Sequence, residues 1–195
     1  MRNTLLITMA AAATMFVVQA GPPLICHPFN IGDAKSLPWG SGSGWENPDP
    51  SYDTKHLTAD TVAILDHSSS VLQRMETLRR AGIYGTQNHD AARALIARLA
   101  QRQSGSAQAF DYGYLVATVK QLEWKFKEDL TGGVDGYAIV MKALAAEPDS
   151  AEMHFAAALI ASSPFRPTER DEHLRKARAA TNDPLLARNV SAMFQ

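Results

Sequence analysis

Along most of the chain the apolar positions recur at three- and four-residue spacing, the period of one helix face. Val62 and Leu65 lie on one such stripe, and Leu72, Met75 and Leu78 on the next. Ala92, Leu95, Ile96 and Leu99 make a third; Leu115, Val119, Leu122 and Phe126 a fourth; Ile139, Val140, Ala143 and Leu144 a fifth. Phe155, Ala158 and Leu159, then Leu174 and Ala177, then Leu186, Val190 and Phe194 complete the series. No run alternates apolar and polar residues between strand-like bounds. The pattern predicts an all-α fold over residues 58–195. It has about seven short helices, arranged as an irregular bundle or an array of helical hairpins.

Polar punctuation sets the expected ends. Thr58 is expected to cap a helix through Asp66, with Ser68, Ser69 and Ser70 breaking or weakening it. Gly82 is expected to stop the next run, just after Arg79 and Arg80. Asn88 and Ser106 start the following two helices, and Thr131-Gly132-Gly133 makes a turn before Asp135 opens another. Asp149 with Glu152, and Thr168 with Asp171, have the spacing of acidic capping boxes. Asp183 precedes Pro184, a residue suited to the first helical position.

One echo stands out. Ala143-Leu144 is followed by Pro148, and Ala179-Ala180 by Pro184, an offset of 36 residues with one predicted hairpin between. The arrangement resembles the tetratricopeptide repeat family, in which a small residue lies five before the proline that begins the next helix pair. His154 stands where that family tends to have Trp, and Ala158 where it has Gly. The resemblance implies stacked helix pairs with a surface that receives proteins or peptides.

Composition divides the remainder. Residues 21–57 hold six of the ten prolines and five of the twelve glycines, yet also Phe29, Trp39, Trp45 and Tyr52. Disordered linkers are poor in aromatics, so this Pro/Gly-rich arm is expected to lie across the helices. Ahead of it, Arg2 precedes a fourteen-residue, mostly apolar stretch from Leu5 to Val18, and Val18-Gln19-Ala20 suits a cleavage site. Residues 1–20 therefore read as a signal peptide, and the chain as periplasmic or secreted. The stretch is shorter than the roughly 20 residues of a membrane span, and no span is expected in the mature chain. Pro23-Leu24-Ile25 before Cys26 does not fit a lipid-attachment pattern.

The net charge of −1 offers no global field for nucleic acid. It is the remainder of a segregated pattern. Residues 21–66 carry −4, whereas residues 71–105 carry +4 through Arg74, Arg79, Arg80, Arg93, Arg98 and Arg102. Those arginines are candidate binding residues for an anionic protein or peptide; alternatively the acidic arm folds over them. Cys26 and His27 form a candidate copper or zinc site, with further ligands from His56, His67 or His89. Otherwise Cys26 is a small buried residue and no cofactor is needed. Tyr112, Tyr114, Trp124 and Phe126 form core or line a groove. Asn189-Val190-Ser191 is a glycosylation sequon within a predicted helix. No H-E-x-x-H, G-x-S-x-G or phosphate-loop motif is present. The leading expectation is a non-enzymatic helical scaffold that binds partners, with a metal-binding or redox protein as the alternative.

Overall fold

The structure, a computed structural model, describes residues 23–42, 44–68, 70–162, 166–180 and 182–194. The expected signal segment, 1–20, lies outside the described residues. Those residues are all-α, with ten α-helices and no strand. The helices are α1 (Pro23–Cys26), α2 (Leu57–His67), α3 (Val71–Gly85), α4 (His89–Ala100), α5 (Ser106–Gln121), α6 (Glu123–Phe126), α7 (Gly136–Ala146), α8 (Ala151–Ile160), α9 (Pro167–Ala180) and α10 (Pro184–Met193). The count exceeds seven because one expected helix ends at Ser68 and restarts after Ser70 as α2 and α3, Leu122 splits α6 from α5, and α1 lies in the arm.

Several caps fall where the polar residues predict. Asn88, Asp135 and Asp183 accept backbone N–H bonds from Ala91, Ala138 and Leu185, and Pro184 begins α10. Others differ. Asp53, not Thr58, opens the helical segment that follows the arm, capping a 3₁₀ turn at Thr54–His56 that leads into α2. Ser150 rather than Asp149 caps α8. That frees Glu152 to cap a different helix: it accepts from Val71 N at 2.8 Å and from Ser70 Oγ at 3.2 Å. A carboxylate there also meets the positive end of the α3 dipole. Helix α9 begins at Pro167, which places Thr168 inside it.

Gly82 does not stop α3. It sits in the helix where a Cβ would lie 2.6 Å from Thr118 Cγ2 of α5, so its smallness serves close packing. The same device seats α7 on α5, where a Cβ at Gly136 would lie 2.4 Å from the Gly113 carbonyl oxygen. Helix α5 is the axis of the fold, buried continuously from Phe110 to Val119. α3, α4, α7 and α8 pack around it, and α9 lies against α8. Ala156, Ala157, Ala158, Ala161 and Ala177 are fully buried, and such small side chains permit close helix approach.

The segment before α2 is irregular but packed. Leu24, Ile25, Phe29 and Leu37 are in the core. Phe29 meets Phe155 edge-on, Trp39 and Tyr52 flank Tyr84, and an antiparallel bridge joins Trp39 to Pro48. At its near end Asn30 exchanges two 2.8 Å bonds with the Asn189 side chain of α10. The sequon asparagine is thus 3% exposed with its amide in use, unsuited to carrying a glycan in this fold. Among the described residues no helix is long and apolar enough to cross a membrane.

Candidate functional site

The six candidate arginines do not form one face. Arg79 is fully buried and donates to both Glu76 oxygens and to the Ile25 and Trp45 carbonyls. Arg80 reaches Glu76 and the Leu37 carbonyl, and both guanidinium groups lie near the Trp39 ring. Glu76, also fully buried, accepts the Phe29 N–H as well. These two arginines and Glu76 therefore fasten the irregular segment to α3. Arg74 pairs with Asp111 at 2.7 Å and closes the α2–α3 junction through the Leu65 and Ser68 carbonyls. Arg93 pairs with Asp90 and Glu128, and Arg102 with Asp66. Among the described residues only Arg98 of the six has no side-chain partner, and it stands exposed on α4.

Cys26 and His27 lie at the end of α1 and just after it. Among the described residues no three His, Cys, Asp or Glu side chains converge. His67 bonds the Ala63 carbonyl of its own helix, and His89 bonds Glu128. Cys26 is half-buried beside Trp45, Leu122 and Trp124, and burial pushes its thiol above the usual range. The aromatic set also divides: Tyr114 and Phe126 are core, whereas Trp124 is 67% exposed.

The most unusual chemistry lies in the hairpin of α8 and α9, and no motif marks it. His154 of α8 and His173 of α9 are 4% and 5% exposed, with their Nδ1 atoms 2.9 Å apart. His154 Nε2 is 3.0 Å from the Pro148 carbonyl, and His173 Nε2 is 3.1 Å from the Tyr137 hydroxyl of α7. A carbonyl only accepts, so His154 carries a hydrogen on Nε2. Neutral His154 then offers a lone pair at Nδ1, and His173 donates to it. His173 Nε2 is left as an acceptor, and Tyr137 donates. The neutral chain thus has one proton arrangement, read from its hydrogen-bond partners. Burial is the main force holding both imidazoles below their usual pKa, with Lys176 opposing a proton on each and the two rings opposing one another at His173. Burial likewise raises the Tyr137 phenol.

His154 opens onto a cleft of about 380 Å³ formed by Pro148, Asp149, His154, Arg175, Lys176 and Ala179. Lys176 pairs with Glu172 at 2.9 Å, whereas Arg175 is exposed and, beyond a longer-range attraction to Glu172, makes no hydrogen bond or ion pair among the described residues. A guanidinium so placed is available to a carboxylate or phosphate in the cleft. On the other flank Tyr137 lines a second cleft of about 290 Å³, with Arg166 stacked 4.4 Å over its ring. Sequence reasoning noticed His154 only as a departure from the tetratricopeptide pattern. His173 lies 19 residues away, one pairing of α8 with α9, and only the folded hairpin brings the two together.

No family model, curated protein or solved structure matches this chain.

Proposed function

We propose that this chain is an exported, non-enzymatic helical scaffold, with helices α7 to α10 as a tetratricopeptide-like unit that binds an anionic segment of a protein or peptide partner. The cleft between the start of α8 and the end of α9 is the binding site. The carrying observation is Arg175, a guanidinium with no hydrogen bond or ion pair among the described residues, at a concave site, whereas Arg74, Arg79 and Arg102 are held by internal carboxylates. Fork-shaped donors of this kind recognise carboxylates in pairs of hydrogen bonds. The acidic residues and sequence order of the partner would supply the remaining selectivity.

Calorimetric titration with a hexa-aspartate peptide at pH 6 and low salt tests this reading. The expected result is saturable binding that weakens at least tenfold in Arg175→Glu, as reversal of a central charge does at such sites (about 1.4 kcal/mol or more). Equal binding by both proteins, or none by either, overturns it.

A further inference from the structure

We propose that this cleft couples anion binding to the uptake of one proton by the Tyr137–His173–His154 chain; the proposal rests on the binding reading above and adds its regulation. The geometry limits the chain to a single extra proton. In the neutral state, hydrogens run from Tyr137 to His173, from His173 to His154, and from His154 to the Pro148 carbonyl. A proton taken from solvent can be accommodated without losing any of these contacts. His173 then carries a hydrogen on Nε2, and Tyr137 reverses from donor to acceptor, its own hydrogen turning away. The contact between the two Nδ1 atoms keeps one hydrogen, bound to either ring. A second proton has no such place, because two N–H groups would face each other across 2.9 Å.

The charges around the pair give that proton its consequence. Asp149 precedes α8, and Glu169 and Glu172 lie on α9 with Lys176; Asp135 and Arg166 flank Tyr137. At the cleft itself Arg175 and Lys176 are balanced one for one by Asp149 and Glu172. With the histidines neutral, the cleft has little net charge. One shared imidazolium makes it positive, and a bound carboxylate in turn stabilises the imidazolium. Linkage makes the two effects equal, so the anion binds more tightly in acid and binding draws in a proton.

Two measurements on the purified chain test this. In the first, long-range ¹H–¹⁵N spectra of ¹⁵N-histidine follow His154 and His173 without ligand from pH 8 to pH 4.5. Both rings are expected to change together in one single-proton step. Tyr137→Phe, which removes the acceptor for His173 Nε2–H, should move that step to lower pH. Independent titration of the two rings near the ordinary histidine value, or no movement in Tyr137→Phe, overturns the proton chain.

The second measurement is hexa-aspartate affinity at pH 7.5 and pH 5.5 in two buffers of different ionisation enthalpy, which reports protons taken up. Wild type should bind about tenfold more tightly at pH 5.5, with net uptake approaching one proton. His154→Gln with His173→Gln, whose two amides can carry the same donor–acceptor chain but take up no proton, should bind with less than about a twofold pH effect. Binding that is independent of pH in wild type overturns the coupling. Absence of binding at both pH values overturns the binding reading and the coupling with it, while the histidine spectra still decide the proton chain.

Discussion

Among the described residues, two buried polar networks differ in what they leave unsatisfied. At the junction of α3 with the irregular segment, Glu76 accepts from Arg79, Arg80 and the Phe29 N–H, and the arginines finish on the Ile25, Leu37 and Trp45 carbonyls. Both charges of the central pair are fully buried, and every guanidinium nitrogen and carboxylate oxygen in it has a partner. In the α8/α9 hairpin the neutral network has one proton arrangement, and one added proton gives a second by reversing the Tyr137–His173 link. A saturated ionic network has one arrangement and serves register and attachment. A neutral chain with room for one proton has two arrangements, and the second differs in charge. The contrast separates a structural clamp from a site that can respond.

The sharpest way to break the clamp is to remove half of it. Glu76→Ala leaves Arg79 buried with no carboxylate and frees the Phe29 N–H. We expect a loss of about 3–5 kcal/mol, the cost of an uncompensated buried charge, measured by urea unfolding. Limited proteolysis should then cut within residues 24–52 in Glu76→Ala and not in wild type. Replacing both partners together, Glu76→Leu with Arg79→Met, should recover part of the loss, since the lone buried charge is gone. A midpoint for Glu76→Ala equal to that of wild type would contradict the clamp.

The same contrast explains which parts were legible in the sequence. Helix-period stripes and the caps at Asn88, Asp135 and Asp183 are local, set by residues three or four apart, and the all-α class follows from them. Gly82 misleads because its role is not local: the contact that requires a glycine is with Thr118, 36 residues on. Glu152 misleads for the same reason, since it caps α3 and not its own helix. Charge segregation marked all six arginines from Arg74 to Arg102 alike, and the count of charges cannot show that Arg79 and Arg80 point inward. The histidine chain left almost no trace, because three residues from three helices carry no spacing rule. Only the misfit of His154 at a position usually held by Trp in the tetratricopeptide pattern could have drawn attention to it.

A second buried acid allows a test of intermediate size. Asp111 of α5 is 4% exposed, and one of its oxygens has no hydrogen-bond partner. Burial pushes its pKa up to about 6, with Arg74 pulling against the shift. The folded state therefore holds this proton more tightly than the unfolded state, whose value is near 3.9. The resulting penalty is present above pH 6 and is relieved as pH falls toward 4, roughly 2–3 kcal/mol over the window. The histidine pair has the opposite sign: its lowered values mean that the unfolded state takes protons first, so stability falls as pH drops below about 6.5. In wild type the two trends oppose each other between pH 7 and pH 5. Asp111→Asn should remove the first and expose the second, so that its unfolding free energy declines steadily with acid over that range. A decline no steeper than that of wild type would mean that Asp111 is not the opposing group.

The smallest expected effect on stability comes from the cation that matters most to the proposed site. Arg79 and Arg175 are both arginines on α-helices, but the first has four hydrogen bonds within the fold and the second has none among the described residues. Truncating an exposed side chain that contacts little leaves a fold nearly unchanged. Arg175→Ala should therefore unfold at the same urea midpoint as wild type, with an unchanged slope, while its affinity for hexa-aspartate falls. That dissociation of stability from binding is what distinguishes a ligand contact from a structural one. If Arg175→Ala lowered the midpoint as well, the guanidinium would belong to the fold, and the difference between the two networks would narrow to one of exposure alone.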